Sequence, residues 1–417
     1  MKITDVKTIL LTGPCTLDPY LSEARKLRSA AFIQIETNVG ITGIGETYAG
    51  YFCPEVVPEI VEFFKPILIG KSVDDIPGLW AHMYHSGNFW CRVGLGAIVL
   101  CGIEAALWDI KGKWEEVPVW KLLKNNWEND FSKIENSDFE YQNKLPCYAT
   151  GGPSNYPVEK LVDKINYYLS LGFKGVKIGA GSYDKAKGLS VSMDPNGAAD
   201  FESEKAGYIR DQFGKELWLM IDAHMGNSAV TWELDTAMAV AKALEPHDLL
   251  FLEEPLHYTR KDWYGVLRKN TRTPIAGGEC LTAVSEWQTF TEDETFDIGQ
   301  PDASFTAGLN QFMQVACMLY KKNRRIAPHA WGAGASQMQN IHCGFACPNT
   351  AILEVAPAYG PLHSELIGDS LQVVDGYVLP PQSPGLGISL SSETINRFPF
   401  VPGTGEFNSV PGKILTT

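Results

Sequence analysis

Two stretches in the middle of the chain share one pattern of apolar and polar positions. LWLMIDAH is an apolar run of strand length that ends in Asp222 and His224, and LLFLEEP is a second run that ends in Glu253 and Glu254. The intervening TWELDTAMAVAKALEP has apolar residues at helical spacing. Continuous apolar strands are typical of parallel sheets that are buried on both faces. The pattern therefore predicts strand, helix and strand, with acids where the strands end.

The same unit recurs from Leu145 onward. Polar residues at the consecutive strand ends from Asp222 to Glu354 lie 23 to 31 positions apart, which is one strand and one helix per step. This regularity favours an α/β fold closed as a (β/α) barrel over a doubly wound sheet, and it places the polar residues at one rim. The proposed strand ends are CYATGG, GVKIG, LMIDAH, LFLEEP, PIAGGE, FDIGQPD, RIAPHAW and AILEVAP.

The remaining segments have other patterns. The apolar pattern of residues 1–50 predicts three strands, and the apolar residues from 54 to 123 have helical spacing. Strands followed by helices indicate an α+β unit. Residues 125–143 are rich in Asn, Asp and Glu and predict a linker, whereas the Gly-rich residues 179–200 predict a loop over the barrel mouth. We expect the C-terminal segment to pack back onto the first unit. The predicted domains are residues 1–125, 126–368 and 369–417.

Composition narrows the range of partners. The 417 residues are 45% hydrophobic and 20% charged, and the net charge of −14 argues against a nucleic-acid or anionic-membrane surface. The N-terminal MKITDVKTIL lacks the apolar core of a signal peptide, and no window has the length of a spanning helix. Nine cysteines without a CxxC pair suit reduced thiols. We expect a cytoplasmic protein whose partners are small molecules or other subunits.

Three acids at consecutive strand ends predict a metal site. Asp222, Glu253 and Glu279 would lie side by side, where their charges repel and raise one another's pKa unless a cation is present. Mg²⁺ prefers about six oxygen ligands, so three carboxylates leave positions for water and substrate. The alternative is that each acid separately caps a helix or pairs with a lysine.

His224 follows Asp222 by two positions. If the strand continues, both side chains face the same way and into the site. His224 could then bind the metal, bind the substrate or act as a general acid, and a purely structural role is the alternative.

A second pair of neighbouring strand ends predicts a general base. Asp302 ends the sixth strand and His329 ends the seventh, which places them within hydrogen-bonding reach. A carboxylate on one ring nitrogen fixes the tautomer and raises the basicity of the other nitrogen. The alternative is a buried histidine with satisfied hydrogen bonds.

The ends of the second and eighth strands complete the predicted rim. Lys177, opposite the metal, could balance a substrate carboxylate or exchange a proton, or it could be a solvated lysine. Glu354, facing a substrate carboxylate, would be protonated and would donate a hydrogen bond. Glu254 should point to the opposite face from Glu253 and support the metal ligands without binding the metal itself.

These motifs, in this order and at these intervals, resemble the enolase superfamily, specifically its mandelate racemase branch. The resemblance rests on LMIDAH, FLEEP, AGGEC, QPD, APH and LEV, and it extends to IQIETNVGITGIGET, IEAALWDIKGK and VDGYVLPPQSPGLG. It implies an N-terminal α+β capping domain, a TIM-like (β/α)7β barrel, and a homo-oligomer. It also implies Mg²⁺ on the three acids, the His329–Asp302 dyad as base, and abstraction of the proton α to a carboxylate to give an enediolate.

One departure from the branch narrows the expected reaction. Racemases of this branch resemble KxK at the second strand, whereas here Gly179 stands two positions after Lys177. The Asp222-x-His224 arrangement instead resembles galactonate dehydratase, whose histidine protonates the departing 3-hydroxyl. The hypothesis is a sugar-acid dehydratase that forms a 2-keto-3-deoxy acid.

Two other functions remain open. The first is cycloisomerisation, epimerisation or racemisation of a sugar acid or its lactone through the same enediolate, and the second is a non-catalytic acid-sugar binding protein. The resemblance places specificity in the capping loops around residues 16–29 and 46–54. The candidate substrate contacts are Tyr20, Arg25, Tyr48 and Trp90.

Overall fold

The structure is a computed structural model. The predicted substrate contact Arg25, part of the 179–200 insert and the last residues of the chain lie outside its described residues. The described residues are 1–21, 27–134, 139–150, 158–184, 189–191, 194–228 and 230–403.

The N-terminal part is an antiparallel sheet followed by helices, as the sequence predicts. Its three strands pair in chain order. The strands are β1 (Ile3–Pro14), β2 (Leu27–Thr37) and β3 (Thr42–Thr47). The helices are α1 (Ala49–Phe52), a 3₁₀ turn (Pro54–Val56), α2 (Val57–Leu68), α3 (Ile76–Ser86), α4 (Leu95–Glu115) and α5 (Val119–Ser132).

Glycines let β3 lie directly on α4. A Cβ atom at Gly43 would stand 2.1 Å from the carbonyl oxygen of Ala106, and one at Gly45 would stand 2.1 Å from that of Gly102. Real Cβ atoms do not approach an oxygen that closely, so the alternating glycines of GITGIGET serve the contact between strand and helix. The sheet is thereby fixed against the helix, and the segment that follows β3 has a defined position.

The linker predicted over residues 125–143 is wrong for its first part, because α5 continues to Ser132. Its apolar residues Val119, Leu122 and Phe131 are buried, and Phe131 packs edge-on against Tyr320. The exposed face carries the Asn, Asp and Glu residues that suggested a loop. The predicted domain boundary at residue 125 therefore falls inside a helix, and the three-part division of the chain stays a prediction.

Eight parallel strands of the described chain form a ring. β4 is followed around the ring by β5, β8, β9, β10, β11 and β12, and β13 pairs with the other edge of β4. An isolated parallel bridge between Ile326 and Thr350 joins β12 to the start of β13. Helices α6 to α12 connect these strands, so the predicted (β/α)7β TIM-like barrel with a capping domain is confirmed. The ring strands are β4 (Leu145–Thr150), β5 (Gly175–Gly179), β8 (Trp218–Asp222), β9 (Phe251–Glu253), β10 (Ile275–Gly277), β11 (Ile298–Gly299), β12 (Arg325–Ile326) and β13 (Leu353–Val355). The helices are α6 (Val158–Ser170), α7 (Pro195–Phe213), α8 (Leu234–Leu244), α9 (Lys261–Lys269), α10 (Val284–Glu292), α11 (Leu309–Lys321) and α12 (Ala335–Ala346), with 3₁₀ turns at Glu245–His247 and Tyr258–Arg260.

Apolar side chains fill the barrel interior. The cluster takes one residue from each of seven strands or their flanks, and every member is buried. This dry floor strengthens the electrostatic interactions of the charged groups at the strand ends. The members are Tyr148, Met220, Phe251, Ala276, Ile298, Ala327 and Ile352.

The insert between β5 and β8 is more regular than predicted. It contains a hairpin of β6 (Ser182–Asp184) and β7 (Leu189–Val191), and α7 begins at Pro195. Asp194 caps this helix, because its Oδ1 accepts the N–H groups of Asn196 and Gly197. The loop prediction is therefore wrong for the last residues of the insert.

Residues of the C-terminal segment contact the N-terminal part of the chain. Gly385 forms a bridge with Pro118, and the N–H of Thr12 donates to the carbonyl of Phe398. Helical periodicity is weak in this part of the sequence, yet two short helices are present. The elements are α13 (Pro361–Ile367), β14 (Val373–Val374), β15 (Tyr377–Val378), which pairs antiparallel with β4, and α14 (Ser392–Arg397). Among the described helices, none combines the length and the apolar composition that crossing a membrane requires.

His342 on α12 joins three parts of the chain. Its Nδ1 accepts the N–H of Trp120 at 3.0 Å, and its Nε2 lies 3.2 Å from the carbonyl oxygen of Leu386. A backbone N–H can only donate, so Nδ1 is unprotonated, Nε2 donates, and the ring is neutral. Burial lowers the pKa of His342 to about 4.

The neutral His342 predicts a loss of stability in acid. The unfolded chain binds a proton with the ordinary histidine pKa, so the contribution is complete above about pH 6.5 and falls as the pH drops toward 4. We expect the free energy of unfolding to fall by about 2 kcal/mol more in the parent than in His342→Gln between roughly pH 7.5 and pH 5. Urea unfolding at both pH values measures this difference, and parallel losses in the two proteins would contradict it.

Candidate active site

The ends of three adjacent barrel strands bring Asp222, Glu253 and Glu279 to one sector of the mouth. Asp222 ends β8 and Glu253 ends β9, and the two residues are paired in the register of those strands. Glu279 follows the end of β10 by two residues. Asp222 is 2% exposed and Glu253 is 0% exposed. The predicted metal ligands are therefore neighbours, and their role as ligands stays a prediction.

Lys177 lies against these acids. Its Nζ is 2.9 Å from both carboxylate oxygens of Glu253 and 3.1 Å from Oδ2 of Asp222. The sequence placed Lys177 opposite the metal or in solvent, but β5 is next to β8 and the buried acids attract the ammonium group. Burial lowers the pKa of Lys177, yet Glu253 and Glu354 outweigh that effect and raise the pKa well above its usual value.

The buried carboxylates of Asp222 and Glu253 are poorly stabilised in their negatively charged form. Burial raises the pKa of Asp222 to about 6, with Lys177 opposing and Glu279 reinforcing the shift. Burial and the charge of Asp222 raise the pKa of Glu253 to about 7, again against the effect of Lys177. The mutual repulsion expected from the sequence is present, but removal from water is the larger cause.

Glu354 on β13 is ionised. Burial raises its pKa, but Lys177 at 3.4 Å and the charge of His329 outweigh that effect, so the pKa lies below its usual value. The N–H of Ala330 also donates to Oε2 of Glu354 at 2.7 Å. Lys177 is near enough to hold the negative charge of Glu354 in this arrangement. Protonation of Glu354 when it faces a substrate carboxylate stays a prediction.

His329 and Asp302 meet as a pair. The Nδ1 atom of His329 lies 2.8 Å from Oδ2 of Asp302, and its Nε2 atom lies 3.6 Å from Oε2 of Glu279. Burial lowers the pKa of His329, but the charges of Glu279, Glu354 and Asp302 together raise the pKa to about 10. The dyad has the geometry of a base held by a carboxylate, and the surrounding acids hold its proton.

His224 reaches the site by a different route from the predicted one. The strand ends at Asp222, and His224 has a left-handed backbone with φ of 51°. Strand alternation therefore does not set its direction. Its Nδ1 is nevertheless 3.0 Å from Oδ1 of Asp222, which also accepts the N–H of His224 at 2.9 Å. The side chain is 39% exposed, so the imidazole combines a carboxylate contact with access to solvent.

The sequence reasoning missed the position of Glu254. Its φ of 42° breaks the alternation after β9, and its carboxylate lies with groups of Glu279 and Cys280 within 4.8 Å of one another. Strand alternation, on which the prediction that Glu254 points to the opposite face from Glu253 rested, therefore does not apply at this residue. That Glu254 supports the site without binding the metal stays a prediction. The hydroxyl of Tyr258 donates to Glu254 at 2.5 Å, and burial followed by the charge of Glu279 raises the pKa of Glu254 well above its usual value.

The charge balance of the site fits a hard divalent cation. The acids of the described site outnumber its positively charged groups, Lys177 and protonated His329. Oδ2 of Asp222 is buried and accepts no hydrogen bond of good geometry in the described structure, although Nζ of Lys177 lies 3.1 Å away. Oxygen ligands and surplus negative charge suit Mg²⁺, whereas burial keeps the thiol of Cys280 protonated by raising its pKa. Asp222, Glu253 and Glu279 are therefore a suitable ligand set. The acids are Asp222, Glu253, Glu254, Glu279, Asp302 and Glu354.

The predicted substrate contacts have different surroundings. The ring of Tyr48 packs edge-on against His329, with centroids 5.6 Å apart. Tyr20 packs on Tyr167 of α6, and Trp90 stacks on Phe64 of α2. The structure therefore brings Tyr48 to the dyad, while Trp90 packs on a capping-domain helix.

Comparison with known families identifies this arrangement. Residues 160–394 match the model described as enolase C-terminal domain-like, and residues 16–124 match that of the mandelate racemase/muconate lactonizing enzyme N-terminal domain. The chain belongs to the mandelate racemase branch of the enolase superfamily. Membership of this branch therefore accounts for both the fold and the order of the sequence motifs.

Relatives within the superfamily have named activities. Arabinonate dehydratase of Saccharolobus solfataricus is 30% identical over 370 residues, covering 88% of this chain and 89% of that protein. The 3,6-anhydro-D-galactonate cycloisomerase of Zobellia galactanivorans has a TM-score of 0.77 at 26% identity, covering 95% of this chain and 99% of that one. L-Talarate dehydratase of Polaromonas sp. JS666, solved with Mg and L-glucarate, has a TM-score of 0.76 at 25% identity, covering 96% of this chain and 98% of that one.

Proposed function

We propose that this protein is a Mg²⁺-dependent dehydratase of a sugar acid, a carbon–oxygen lyase that forms a 2-keto-3-deoxy acid. The observation that carries the proposal is the placement of two histidines on opposite sides of the barrel mouth. β8 and β12 are four positions apart in the ring of eight described strands. His224 follows β8 and contacts Asp222, and His329 follows β12 and contacts Asp302. Relatives named as sugar-acid dehydratases support a lyase.

His329 is the proposed base. The acting form is the neutral ring, whose Nδ1–H donates to Asp302 and whose Nε2 atom accepts the proton from the carbon next to the substrate carboxylate. Mg²⁺ on Glu279 would offset the first of the charges that raise the pKa of His329 and so favour this neutral form. The electron pair of the broken C–H bond moves into the enediolate. Tyr48 packs against the ring and limits its rotation. The base is therefore held on both sides, by a hydrogen bond and by an aromatic contact.

His224 is the proposed acid. The enediolate electron pair returns to form the carbon–carbon double bond, the 3-hydroxyl leaves, and His224 gives it the proton that makes it water. The enol then gains a proton at carbon 3 and loses the proton of its 2-hydroxyl group, which gives the 2-keto acid. The 39% exposure of His224 supports this role, because the ring can exchange protons with solvent between turnovers.

The charged groups around the two histidines bind and orient the substrate. Asp222, Glu253 and Glu279 would hold Mg²⁺, which supplies Lewis-acid stabilisation of the enediolate charge. Lys177 is 5% exposed and fully charged, so it can face the substrate carboxylate. Glu354 accepts a hydrogen bond from the N–H of Ala330, which is the residue after His329. This bond fixes the backbone beside the base.

Cycloisomerisation is the second candidate. The likeness to the Zobellia galactanivorans cycloisomerase supports it, and the same base would start that reaction. The two reactions differ in mass balance, because a dehydratase product has lost one water and an isomerase product has not. Incubating a library of sugar acids with Mg²⁺ in D₂O, followed by mass spectrometry, separates them. We expect a 2-keto acid lacking one water, and a product of unchanged mass that carries deuterium would favour the isomerase.

His224→Gln should separate the two chemical steps. We expect dehydration to fall by about 10²-fold or more, since the departing hydroxyl loses its acid. Exchange of the α-hydrogen with D₂O should stay within a few-fold of the parent, because His329 still removes that proton. NMR of the substrate measures exchange and a keto-acid assay measures dehydration. A proportional loss of both steps would place His224 outside the acid role.

A further inference from the structure

Helix α12 is buried on all sides although it carries five polar side chains. Ser336, Gln337, Gln339, Asn340 and His342 are each 2% exposed or less. Buried polar groups need hydrogen-bond partners, so the partners show what the helix holds in place. α12 follows the loop that carries His329, which makes it the structural support of the base.

The three amide side chains of α12 bond to three different segments of the chain. Gln337 donates to the backbone carbonyl of Glu354 at 2.7 Å. Gln339 accepts the N–H of Glu46 on the capping strand β3 at 2.7 Å. Asn340 alone among these amides bonds to a dyad side chain, since its Nδ2 lies 2.8 Å from Oδ1 of Asp302.

The orientation of the Asn340 amide is fixed by its second contact. The N–H of Ala303 points at the side-chain oxygen of Asn340 at 2.8 Å. A backbone N–H can only donate, so the oxygen of the amide must face Ala303 and the NH₂ group must face Asp302. Asn340 is therefore a donor to the carboxylate.

We propose that Asn340 is a positioning residue for the catalytic base, with Ser304 as its partner. Oδ1 of Asp302 accepts three hydrogen bonds, from the N–H of Ser304 at 2.7 Å, its hydroxyl at 2.6 Å and Asn340 at 2.8 Å. These donors occupy one oxygen and leave Oδ2 for Nδ1 of His329 at 2.8 Å. The inference rests on the proposed function, because it assigns His329 as the base.

The capping domain joins this network through Ser304. The N–H of Tyr48 donates to the carbonyl of Ser304 at 3.0 Å, and the ring of Tyr48 packs against His329. Ser304 thus connects the capping domain to Asp302, while Asn340 connects Asp302 to α12. With either contact removed, fewer hydrogen bonds hold the carboxylate of Asp302, and the direction of the imidazole is less well fixed.

Asn340→Leu tests the proposal. The leucine keeps the size of the side chain but removes the donor to Asp302. We expect kcat to fall about 10- to 100-fold with KM within roughly twofold of the parent, because substrate binding is retained while the base is misaligned. Ser304→Ala keeps the backbone donor and should give a smaller fall, and it serves as the second variant should Asn340→Leu fold poorly.

Gln339→Leu is the matched control. Gln339 is the preceding residue of the same helix and is 0% exposed, but it bonds to the backbone of Glu46 and not to the dyad. We expect a similar loss of thermal stability with kcat within about twofold of the parent. An equal fall of kcat in both leucine variants would show that α12 is only structural and would overturn the proposal.

A measurement independent of turnover separates this inference from the proposed function. In protein labelled with ¹⁵N-histidine, we expect the Nδ1–H resonance of His329 to shift in Asn340→Leu and to stay in place in Gln339→Leu. Parent protein without dehydratase activity would refute the proposed function, and the resonance would still test the positioning. An unchanged His329 resonance in folded Asn340→Leu overturns the positioning role.

Discussion

Glu253→Gln is expected to reduce turnover by at least about 10⁴-fold, the largest effect of any single change considered, because the enediolate charge would lose its counter-ion. Glu253 is fully buried, with Asp222 paired beside it and Lys177 in contact with its carboxylate. A neutral amide of the same size is a poor ligand for Mg²⁺. Steady-state assays of 2-keto acid formation measure the loss.

A binding measurement tests the same variant without turnover. Mg²⁺ that binds the folded state stabilises the parent, so its Tm should rise with Mg²⁺ concentration, and the Tm of Glu253→Gln should not. Glu104→Gln is the control, since Glu104 is a buried glutamate of α4 that accepts from Asn310 outside the site. It should keep the Mg²⁺-dependent rise in Tm. An equal rise in Glu253→Gln would remove Glu253 from the ligand set.

His329→Asn is expected to reduce dehydration by about 10²- to 10⁴-fold, the usual contribution of a general base. The asparagine can still donate to Asp302 but cannot accept the substrate proton. In His329→Asn, exchange of the α-hydrogen in D₂O should fall together with dehydration, because the α-proton is not removed. In His224→Gln, by contrast, exchange should be retained. Parallel assays of exchange and product measure both effects.

His342→Gln is the control for the base variant. His342 is also buried, but it lies on α12 and bonds to Trp120 and Leu386 away from the dyad. At about pH 7.5 the His342→Gln variant should have a kcat within roughly twofold of that of the parent. If His329→Asn kept dehydration within about tenfold of the parent, the base assignment would be wrong.

The barrel was predictable because its signal is local and repeated. Each strand is a short apolar run that ends in a polar residue, and burial on both faces requires that composition. The positions of Asp222, Glu253, Asp302 and His329 followed from the adjacency of consecutive strands, which the ring confirms. The family followed from the order of these same motifs.

Helix α5 and the polar residues of α12 were not predictable in the same way. The exposed face of α5 has a loop-like composition, and the helix depends on the contact of Phe131 with Tyr320 almost 200 positions later. Asn340 lies 38 positions from Asp302, and a polar residue on a helix normally indicates a solvent-exposed face. Ser304 carried a clearer signal, because it follows Asp302 by two positions, the spacing of a local side-chain turn.

The sequence by itself determined the order of strands and helices, the strand ends and the acids placed there, because alternation and apolar runs record burial directly. Only the tertiary structure decided the directions of side chains beyond the strand ends. His224 and Glu254 have left-handed backbones, with φ of 51° and 42°, where strand periodicity no longer applies. Lys177 contacts the acids because a buried charge is stabilised by pairing with an opposite charge nearby. Which residue is nearby depends on the neighbouring strands and not on spacing along the chain.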